Sequence, residues 1–304
     1  MIEHWHILGA GAMGKLFACK LLRAGLQVTL LQRSSIGSGS HTQVLVEGEQ
    51  RNEFELPVRS AEHIEPASIE GLLITTKANQ AISAFAAVAS KAATAAPIIL
   101  LHNGMGVVEQ LTAQYQTANL HSGTTTEGAY LNKNGERVHA GYGSTLIGKA
   151  GADAQPTWFD SLAATREGFS WESDIDASLW RKLLINCAIN PLTALHLCRN
   201  GDLIANPAWR AEVELLCDEL AQVSAARGNA KGASCALDWA LGVMQSTAAN
   251  QSSMLQDVLQ QRETEIEYIT GYFCREAERL GVPCPHNQKL LQEIREIDSS
   301  VKKM

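Results

Sequence analysis

His4-Trp5-His6-Ile7-Leu8-Gly9-Ala10-Gly11-Ala12-Met13-Gly14 is an apolar strand pattern running into G-x-G-x-x-G, with a helical pattern over Met13–Ala24 behind it. The glycine pattern alone is weak. Placed after a strand and at the start of a helix within the first 25 residues, it has the context that dinucleotide binding requires. Gly9 permits a tight turn, Gly11 lets backbone approach a pyrophosphate, and Gly14 lets helix and strand pack closely. The helix N-terminus then offers free N–H groups to phosphate. Gly9, Ala10, Gly11, Ala12, Met13 and Gly14 are therefore cofactor-binding candidates; the bland alternative is a glycine-rich turn with no ligand.

Val28–Gln32 reads as a second strand, and the residues at its carboxyl end bear on cofactor choice. An NAD enzyme carries Asp or Glu there for the ribose 2′-hydroxyl. This chain has Leu31-Gln32-Arg33-Ser34. A carboxylate repels a 2′-phosphate, whereas a guanidinium binds it bidentately, so Arg33 argues for NADPH/NADP+. A solvated surface charge is the other reading of Arg33.

Farther out, Gly71–Thr75 and Pro97–Leu101 are compact apolar runs of the kind found in parallel strands covered on both faces. Ala78–Ala93 between them is Ala-rich and helical. This alternation predicts a parallel sheet with helices on both sides. Gly135–Gly148 reads as an antiparallel hairpin at the sheet edge, and Gly37–Ser40 as a mobile loop. After about Glu172 strand patterns stop, and Ala177–Asn190, Pro207–Arg227, Leu237–Asn250 and Thr264–Leu280 read as helices. The expected fold is α/β: a Rossmann-type dinucleotide-binding domain over residues 1–172, then an all-helical substrate domain over 173–304. Two domains suit 304 residues at roughly 100–200 residues each.

Composition narrows the class. Hydrophobic residues make up 45% and charged residues 19%, with a net charge of −7 spread without long runs. That disfavours nucleic acid, whose phosphates demand clustered Lys and Arg. The seven cysteines include no C-x-x-C pair, so neither a disulfide framework nor a zinc site is expected, and no other metal-ligand spacing is present. No signal-peptide pattern and no apolar run of 18 residues is found, which points to a cytoplasmic protein with no membrane partner. Nothing in these patterns specifies an oligomeric state.

Polar residues cluster where ligands bind in open α/β sheets, beyond the carboxyl ends of the strands. Thr75-Thr76-Lys77-Ala78 follows one apolar run and His102-Asn103-Gly104-Met105-Gly106 follows the next. Asn103 suits a nicotinamide carboxamide, a ribose or a substrate carboxylate, although Asn-Gly is equally a common turn pair. Lys77 reads equally as a surface lysine.

The most informative segment is Trp180-Arg181-Lys182-Leu183-Leu184-Ile185-Asn186-Cys187-Ala188-Ile189-Asn190. Residues four apart share a helix face, and three of the four rows are almost wholly apolar. The remaining row is Lys182, Asn186 and Asn190. Asn is a mediocre helix former, and a solvated face more often carries Glu, Lys or Arg. The stripe is therefore read as facing a wet cleft, placed between the domains; an ordinary narrow solvent face is the alternative. A lysine so held can have its pKa lowered and serve as a proton donor near neutral pH. Thr264 with Glu267 three residues on is a capping-box pattern, which places Glu265 in a first helical turn. There it is either a dipole-favourable carboxylate or a hydrogen-bond partner for a substrate hydroxyl or carbonyl.

Taken together, the glycine turn, Thr76-Lys77-Ala78, His102–Gly106, Gly123-Thr124-Thr125-Thr126, Trp180-Arg181-Lys182-Leu183, the run from Asn186 to Ala194, Asn200-Gly201, Ser252-Ser253-Met254-Leu255-Gln256-Asp257 and Thr264-Glu265-Ile266 resemble the ketopantoate reductase (2-dehydropantoate 2-reductase) family, of the 6-phosphogluconate-dehydrogenase-like class. The resemblance extends to about residue 290. It implies NADPH-dependent reduction of 2-dehydropantoate to (R)-pantoate, on the route to pantothenate and coenzyme A. By the same resemblance Lys182 donates the proton, and Asn186, Asn190, Asn200, Asn250 and Ser253 hold substrate. Asn103 touches cofactor and substrate, and Glu265 lies against the substrate hydroxyl and the cofactor. Arg33 and Lys77 serve the phosphate and ribose side, and Ala129 lines the cofactor site. Glu127 departs from the pattern, since His is expected there; its charge lies near the cofactor or points to solvent. Two rival readings are a reductase of another small 2-keto acid and a non-catalytic NADP(H)-binding redox sensor, the latter disfavoured by the intact Lys182 stripe and Glu265.

Replacing Arg33 by Ala is expected to weaken NADPH by about 1.5–3 kcal/mol, the scale of a charge-assisted hydrogen bond, and to leave NADH nearly unchanged. KM values for the two cofactors provide the measurement, and equal losses would remove Arg33 from 2′-phosphate recognition.

Overall fold

A computed structural model describes residues 2–32, 39–116 and 118–301. Arg33, and with it the start of the expected 37–40 loop, lies outside the described residues. The chain forms two compact units, one made of Met1–His102 with Val107–Asp176, the other of Asn103–Gly106 with Ala177–Met304.

In the first unit the elements run β1 (His4–Leu8), α1 (Ala12–Arg23), β2 (Gln27–Gln32), β3 (Gly39–Glu47), β4 (Gln50–Ser60), β5 (Gly71–Ile74), α2 (Ala78–Ala86) and β6 (Pro97–Leu101). Then come α3 (Val107–Gln114), β7 (Asn119–Thr125), β8 (Gly128–Leu131), β9 (Arg137–Gly141), β10 (Thr145–Gly148), α4 (Asp160–Ala163) and β11 (Phe169–Trp171). The strands form one sheet in the order β11-β10-β7-β6-β5-β1-β2-β4-β3-β9-β8. From β7 to β4 every pairing is parallel. Every residue of β5 and β6 is buried, as strands covered on both faces must be. This is the expected Rossmann-type arrangement, enlarged at its flanks by antiparallel pairs.

Three local readings need correction. The segment 135–148 is not one hairpin. β9 pairs with β8 and β3, whereas β10 pairs with β7 and β11 near the other end of the sheet. The true hairpin is β8–β9, whose turn is held by Asn132 Oδ1 accepting from the N–H groups of Asn134 and Glu136 at 3.0 and 2.9 Å. Gly39 and Ser40 are not loop but the first residues of β3, paired with Val58 and Pro57. The Ala-rich run after Ala78 is helical only to Ala86, with a short 3₁₀ turn at Ala89–Lys91.

Glu127 is buried beside α1 and does not point to solvent. Its carboxylate bonds Lys20 of α1 and His139 Nε2 of β9, while His139 Nδ1 lies 3.0 Å from Glu47. Arg23 then joins Glu47 and Glu167 at 2.5 and 2.7 Å. Lys20 is only 3% exposed, on a helix face otherwise made of Leu16, Phe17 and Leu21. An ammonium so placed needs a counter-charge, and Glu127 supplies it.

In the second unit the helices are α5 (Ile175–His196, from Ala177 onward), α6 (Asp202–Ala205), α7 (Pro207–Ala226), α8 (Ala230–Ser246), α9 (Ser253–Leu259), α10 (Thr270–Leu280) and α11 (Pro285–Val301). Trp180, Leu183, Leu184, Cys187, Ala188 and Leu192 of α5 are buried in the core of this unit. Trp180 Nε1 donates to Ser224 Oγ at 3.0 Å. Asn206 caps α7 ahead of Pro207, Asn229 caps α8 and Ser252 caps α9, which satisfies N–H groups that helix ends leave open. Gly281, at φ +69°, ends α10 in the left-handed conformation that favours glycine. All seven cysteines of the chain are free, six of them buried. Among the described residues no helix is long and apolar enough to cross a membrane.

Here too the sequence reading needs three corrections. α5 does not stop at Asn190 but continues through Pro191 to His196. α8 begins at Ala230 rather than Leu237 and ends at Ser246, leaving Asn250 in a loop. The Thr264 capping box does not form: the Thr264 hydroxyl accepts from Ile266 N at 3.3 Å, two residues on, and the Glu267 carboxylate is engaged elsewhere. Thr264 Oγ1 donates to Asp298 Oδ2 at 2.8 Å, and the Glu267 carboxylate accepts from Arg295 at 2.6 and 2.9 Å. The helix starts at Thr270 after a 3₁₀ turn over Ile266–Tyr268, and Glu265 is the residue that opens that turn.

Removing one member of a buried ion pair leaves the other uncompensated, at a cost of about 3–5 kcal/mol. Glu127→Leu is therefore expected to lower stability to urea by that order. Adding Lys20→Met should recover most of the loss, because the double variant buries no stranded charge. Additive losses in the double variant would contradict the pairing.

Candidate functional site

In the first unit the glycine turn is set by two close approaches. Gly9 has φ +121°, and a Cβ there would lie 2.8 Å from Thr76 N and 2.9 Å from Thr75 Oγ1. A Cβ on Gly14 would fall 1.8 Å from Gly9 O. No side chain is tolerated at either position. The Thr75 hydroxyl donates to Gly9 O at 3.0 Å, and its amide to Leu8 O at 2.9 Å, so the β5 end clamps the turn.

Gly11 is different, since a Cβ there would meet nothing within 4 Å. Its backbone faces open space that a ligand can enter. Gly11 is the N-cap of α1, has no side chain to bond the helix N–H groups, and is followed by no acidic residue in the first turn. The Thr76 hydroxyl beside the turn is buried without a hydrogen-bond partner. Open backbone, unbonded N–H groups, a positive helix end and an unused hydroxyl suit a pyrophosphate. The residues present therefore fit a dinucleotide, with Gly9–Gly14 and Thr76 placed to hold it. Lys77 is the N-cap residue of α2, and Ala129 in β8 packs partly buried against the core of this unit.

The second unit gathers the chemistry-bearing side chains. Along the α5 stripe, Lys182 and Asn186 are partly exposed, while Asn190 is 7% exposed. Burial holds the Lys182 ammonium down to about 8, against the opposing pull of the Glu265 charge, which favours its protonated form. Glu265 is itself buried, and its Oε2 accepts from Asn103 Nδ2 at 3.0 Å. Asn103 reaches Glu265 because the next residues are pinned. Met105 N donates to Tyr268 O at 2.8 Å, and Gly104, at φ +81°, passes so close that a Cβ would lie 2.2 Å from that carbonyl. Asn103-Gly104 is a bend, in keeping with its composition, and also places the Asn103 amide against Glu265.

A second group lies around the far end of the stripe. The Thr193 hydroxyl bonds Asn190 O at 2.9 Å and Ser252 Oγ at 2.7 Å, tying α5 to the start of α9. Asn200 donates from Nδ2 to Thr247 Oγ1 at 2.8 Å and from its backbone to Asn250 O at 3.0 Å. Its own Oδ1 is buried with no partner. Asn250 and Ser253 are exposed. Asn186, Asn250 and Ser253 spend no side-chain hydrogen bond on the protein among the described residues. Thr193, Thr247 and Ser252 were missed by the sequence reading. Ser252, directly before an apolar helical run, carried a capping signal; the two threonines carried none.

Such a surface offers one soft ammonium, several amides and a hydroxyl, with one buried carboxylate. That chemistry suits a small polar acid bearing a carbonyl to be protonated.

Comparison with known proteins converges on one family. Residues 5–152 match the model for ketopantoate reductase PanE/ApbA, and residues 174–298 match its C-terminal model. The chain is 35% identical over 296 residues to the 2-dehydropantoate 2-reductase of Vibrio cholerae, an alignment covering 97% of each chain. Among solved structures, a PanE/ApbA family ketopantoate reductase from Ralstonia eutropha shares the fold with a TM-score of 0.84 at 22% identity, covering 98% of this chain and 99% of that one. A D-mandelate dehydrogenase solved with NADH and anilino(oxo)acetate has a TM-score of 0.86 at 22% identity and the same coverage, again a likeness of fold. With its two family-model matches, a relative aligned over nearly its whole length and an open glycine cradle of the expected kind, the chain belongs to the ketopantoate reductase family.

Proposed function

We propose that this protein reduces 2-dehydropantoate to (R)-pantoate with NADPH in the cytoplasm, as a step of pantothenate and coenzyme A biosynthesis. The observation that carries the reading is Lys182: a partly buried ammonium held down to about 8, on a stripe with two amides and under the charge of a carboxylate that is itself held by Asn103.

Bound NADPH supplies the hydride. The chain supplies orientation and the proton. Lys182 carries a proton on Nζ and delivers it to the carbonyl oxygen as negative charge develops there. A donor poised near the working pH typically contributes about 10²–10⁴-fold. The charge of Lys182 also attracts the substrate carboxylate. Glu265 keeps Lys182 protonated and, with Asn103, fixes the side of the reacting carbon. Asn186, Asn190, Asn200, Asn250 and Ser253 meet the carboxylate and hydroxyl oxygens of the substrate. The unspent acceptor of Asn200 suits a substrate hydroxyl, and the exposed Ser253 hydroxyl suits a carboxylate or hydroxyl oxygen. Gly9–Gly14, Arg33, Lys77, Ala129 and Asn103 serve the cofactor.

Lys182→Ala is expected to lower kcat by at least about two orders of magnitude, with NADPH binding and the fold retained. A folded variant with kcat within a few-fold of wild type would exclude Lys182 as the acid. The protonated lysine is the active form, so the wild-type reduction rate should fall as pH rises through about 8. Glu265→Gln should move that alkaline limb to lower pH, because the neutral amide no longer favours the charged ammonium; an unmoved limb would contradict the coupling. Ser253→Ala should raise KM for 2-dehydropantoate and leave NADPH fluorescence titrations unchanged. In a panel of 2-keto acids, 2-dehydropantoate should be turned over selectively, and preference for another acid would redirect the substrate assignment.

A further inference from the structure

A second cationic feature lies in the first unit, beside the glycine turn. A cavity of about 560 Å³ is lined by Lys15 of α1, Leu30 and Gln32 of β2, His41 and Gln43 of β3, and Glu136 just before β9, among others. It sits beside the two elements that bracket an adenosine ribose in dinucleotide-binding folds. Lys15 follows the last glycine of the turn and donates its backbone N–H to Gly11 O at 3.2 Å. Gln32 ends β2, where the 2′-position of the ribose is read.

The charge in this region is not balanced. Arg137 of β9 is 5% exposed, its Nε has no hydrogen-bond partner, and no carboxylate pairs with its guanidinium among the described residues. Lys15 likewise has no carboxylate partner among the described residues. Burial chiefly, and the charge of Arg137 next, hold its ammonium below the usual lysine range. The one acid lining the cavity, Glu136, is already engaged by Arg51 and by Asn132 Nδ2 at 2.9 Å. Gln43 spends its amide N–H on Val44 O at 3.0 Å and adds no negative charge. Lys20 shows the contrasting case in the same unit, a buried cation directly bonded to Glu127. An uncompensated buried guanidinium is costly, and an anion bound nearby offsets that cost.

We propose that Lys15, backed by the buried charge of Arg137, is a specificity-determining residue that binds the 2′-phosphate of NADPH in this cavity. The inference rests on the reading of NADPH as cofactor. Lys15 then approaches the phosphate from α1. Arg137 acts through its field on Lys15 and the anion, and is a positioning residue without direct contact.

The test uses the full-length enzyme and isothermal titration calorimetry with 2′,5′-ADP and 5′-AMP, which differ only in the 2′-phosphate, followed by NADPH and NADH. Wild type should bind 2′,5′-ADP much more tightly than 5′-AMP. Lys15→Gln should weaken 2′,5′-ADP and NADPH by about 10- to 100-fold, the scale of a charge-assisted bond, and leave 5′-AMP and NADH within about twofold. Arg137→Met should weaken 2′,5′-ADP several-fold while unfolding in urea no earlier than wild type without ligand, since it removes an unpaired buried charge. Equal weakening of the phosphorylated and unphosphorylated ligands by Lys15→Gln, or none, overturns the assignment. A wild type that does not distinguish 2′,5′-ADP from 5′-AMP overturns the cofactor reading and the Lys15 assignment together. A wild type that does distinguish them, joined to an unaltered Lys15→Gln, overturns the Lys15 assignment alone.

Discussion

The polar arrangement of the second unit depends on the absence of one carbon atom. Without a Cβ at residue 104, and with φ at +81°, the chain can press its backbone onto Tyr268 until Met105 N reaches the Tyr268 carbonyl at 2.8 Å. With a Cβ there, 2.2 Å from that oxygen, the segment would have to lift away. Asn103 would then lose Glu265 at 3.0 Å. Glu265 in turn is the carboxylate that opposes the desolvation of Lys182. A steric constraint on a glycine is thus carried through one amide and one carboxylate to the protonation of a lysine.

The two units hold desolvated ammonium groups in different ways. Lys20 is bonded directly to Glu127, with Glu167 a further 3.9 Å contact. Such a group is neutralised and serves to hold α1 against β9 and its neighbours. Lys182 is partly exposed, and its desolvation outweighs the favourable charge of Glu265, whose carboxylate also accepts from Asn103. Desolvation that outweighs the countercharge is what leaves a proton available near neutral pH. Glu127, which looks from sequence like an intrusion into a ligand-binding run, belongs to the first kind of arrangement.

What could be read from sequence was what depends on near neighbours along the chain. The glycine turn declares itself within eleven residues, and the Lys182, Asn186, Asn190 stripe follows from helical spacing alone. The fully buried β5 and β6 were legible because both their faces are covered and no alternation blurs them. The readings that failed depend on distant partners. Thr264 has the residue at +3 for a capping box, yet that Glu267 carboxylate is taken by Arg295, 28 residues on. β3 and β4 were invisible because much of their length is polar and exposed, and only the Gly48 turn, at φ +62°, marks the reversal. The role of Glu127 required Lys20, 107 residues away. Thr193 and Thr247 had no local signature, because a hydroxyl bonding another hydroxyl or a side-chain amide leaves no pattern in spacing.

The detour of Asn103–Gly106 into the helical unit also has a consequence for how the protein is made. Asn103 and Glu265 stand 162 residues apart. During synthesis on the ribosome, the amide emerges and must wait until most of the remaining chain has been translated before its carboxylate exists. Closing so long a loop costs about 4–5 kcal/mol in the simplest chain model, which is repaid only when the helices around Tyr268 are in place. The α/β unit can gather most of its strands early, but the helical unit cannot be completed from its own contiguous stretch of chain. A nascent protein stalled before Tyr268 lacks the carbonyl that anchors Met105, and a fragment starting at Ala177 lacks Asn103 altogether.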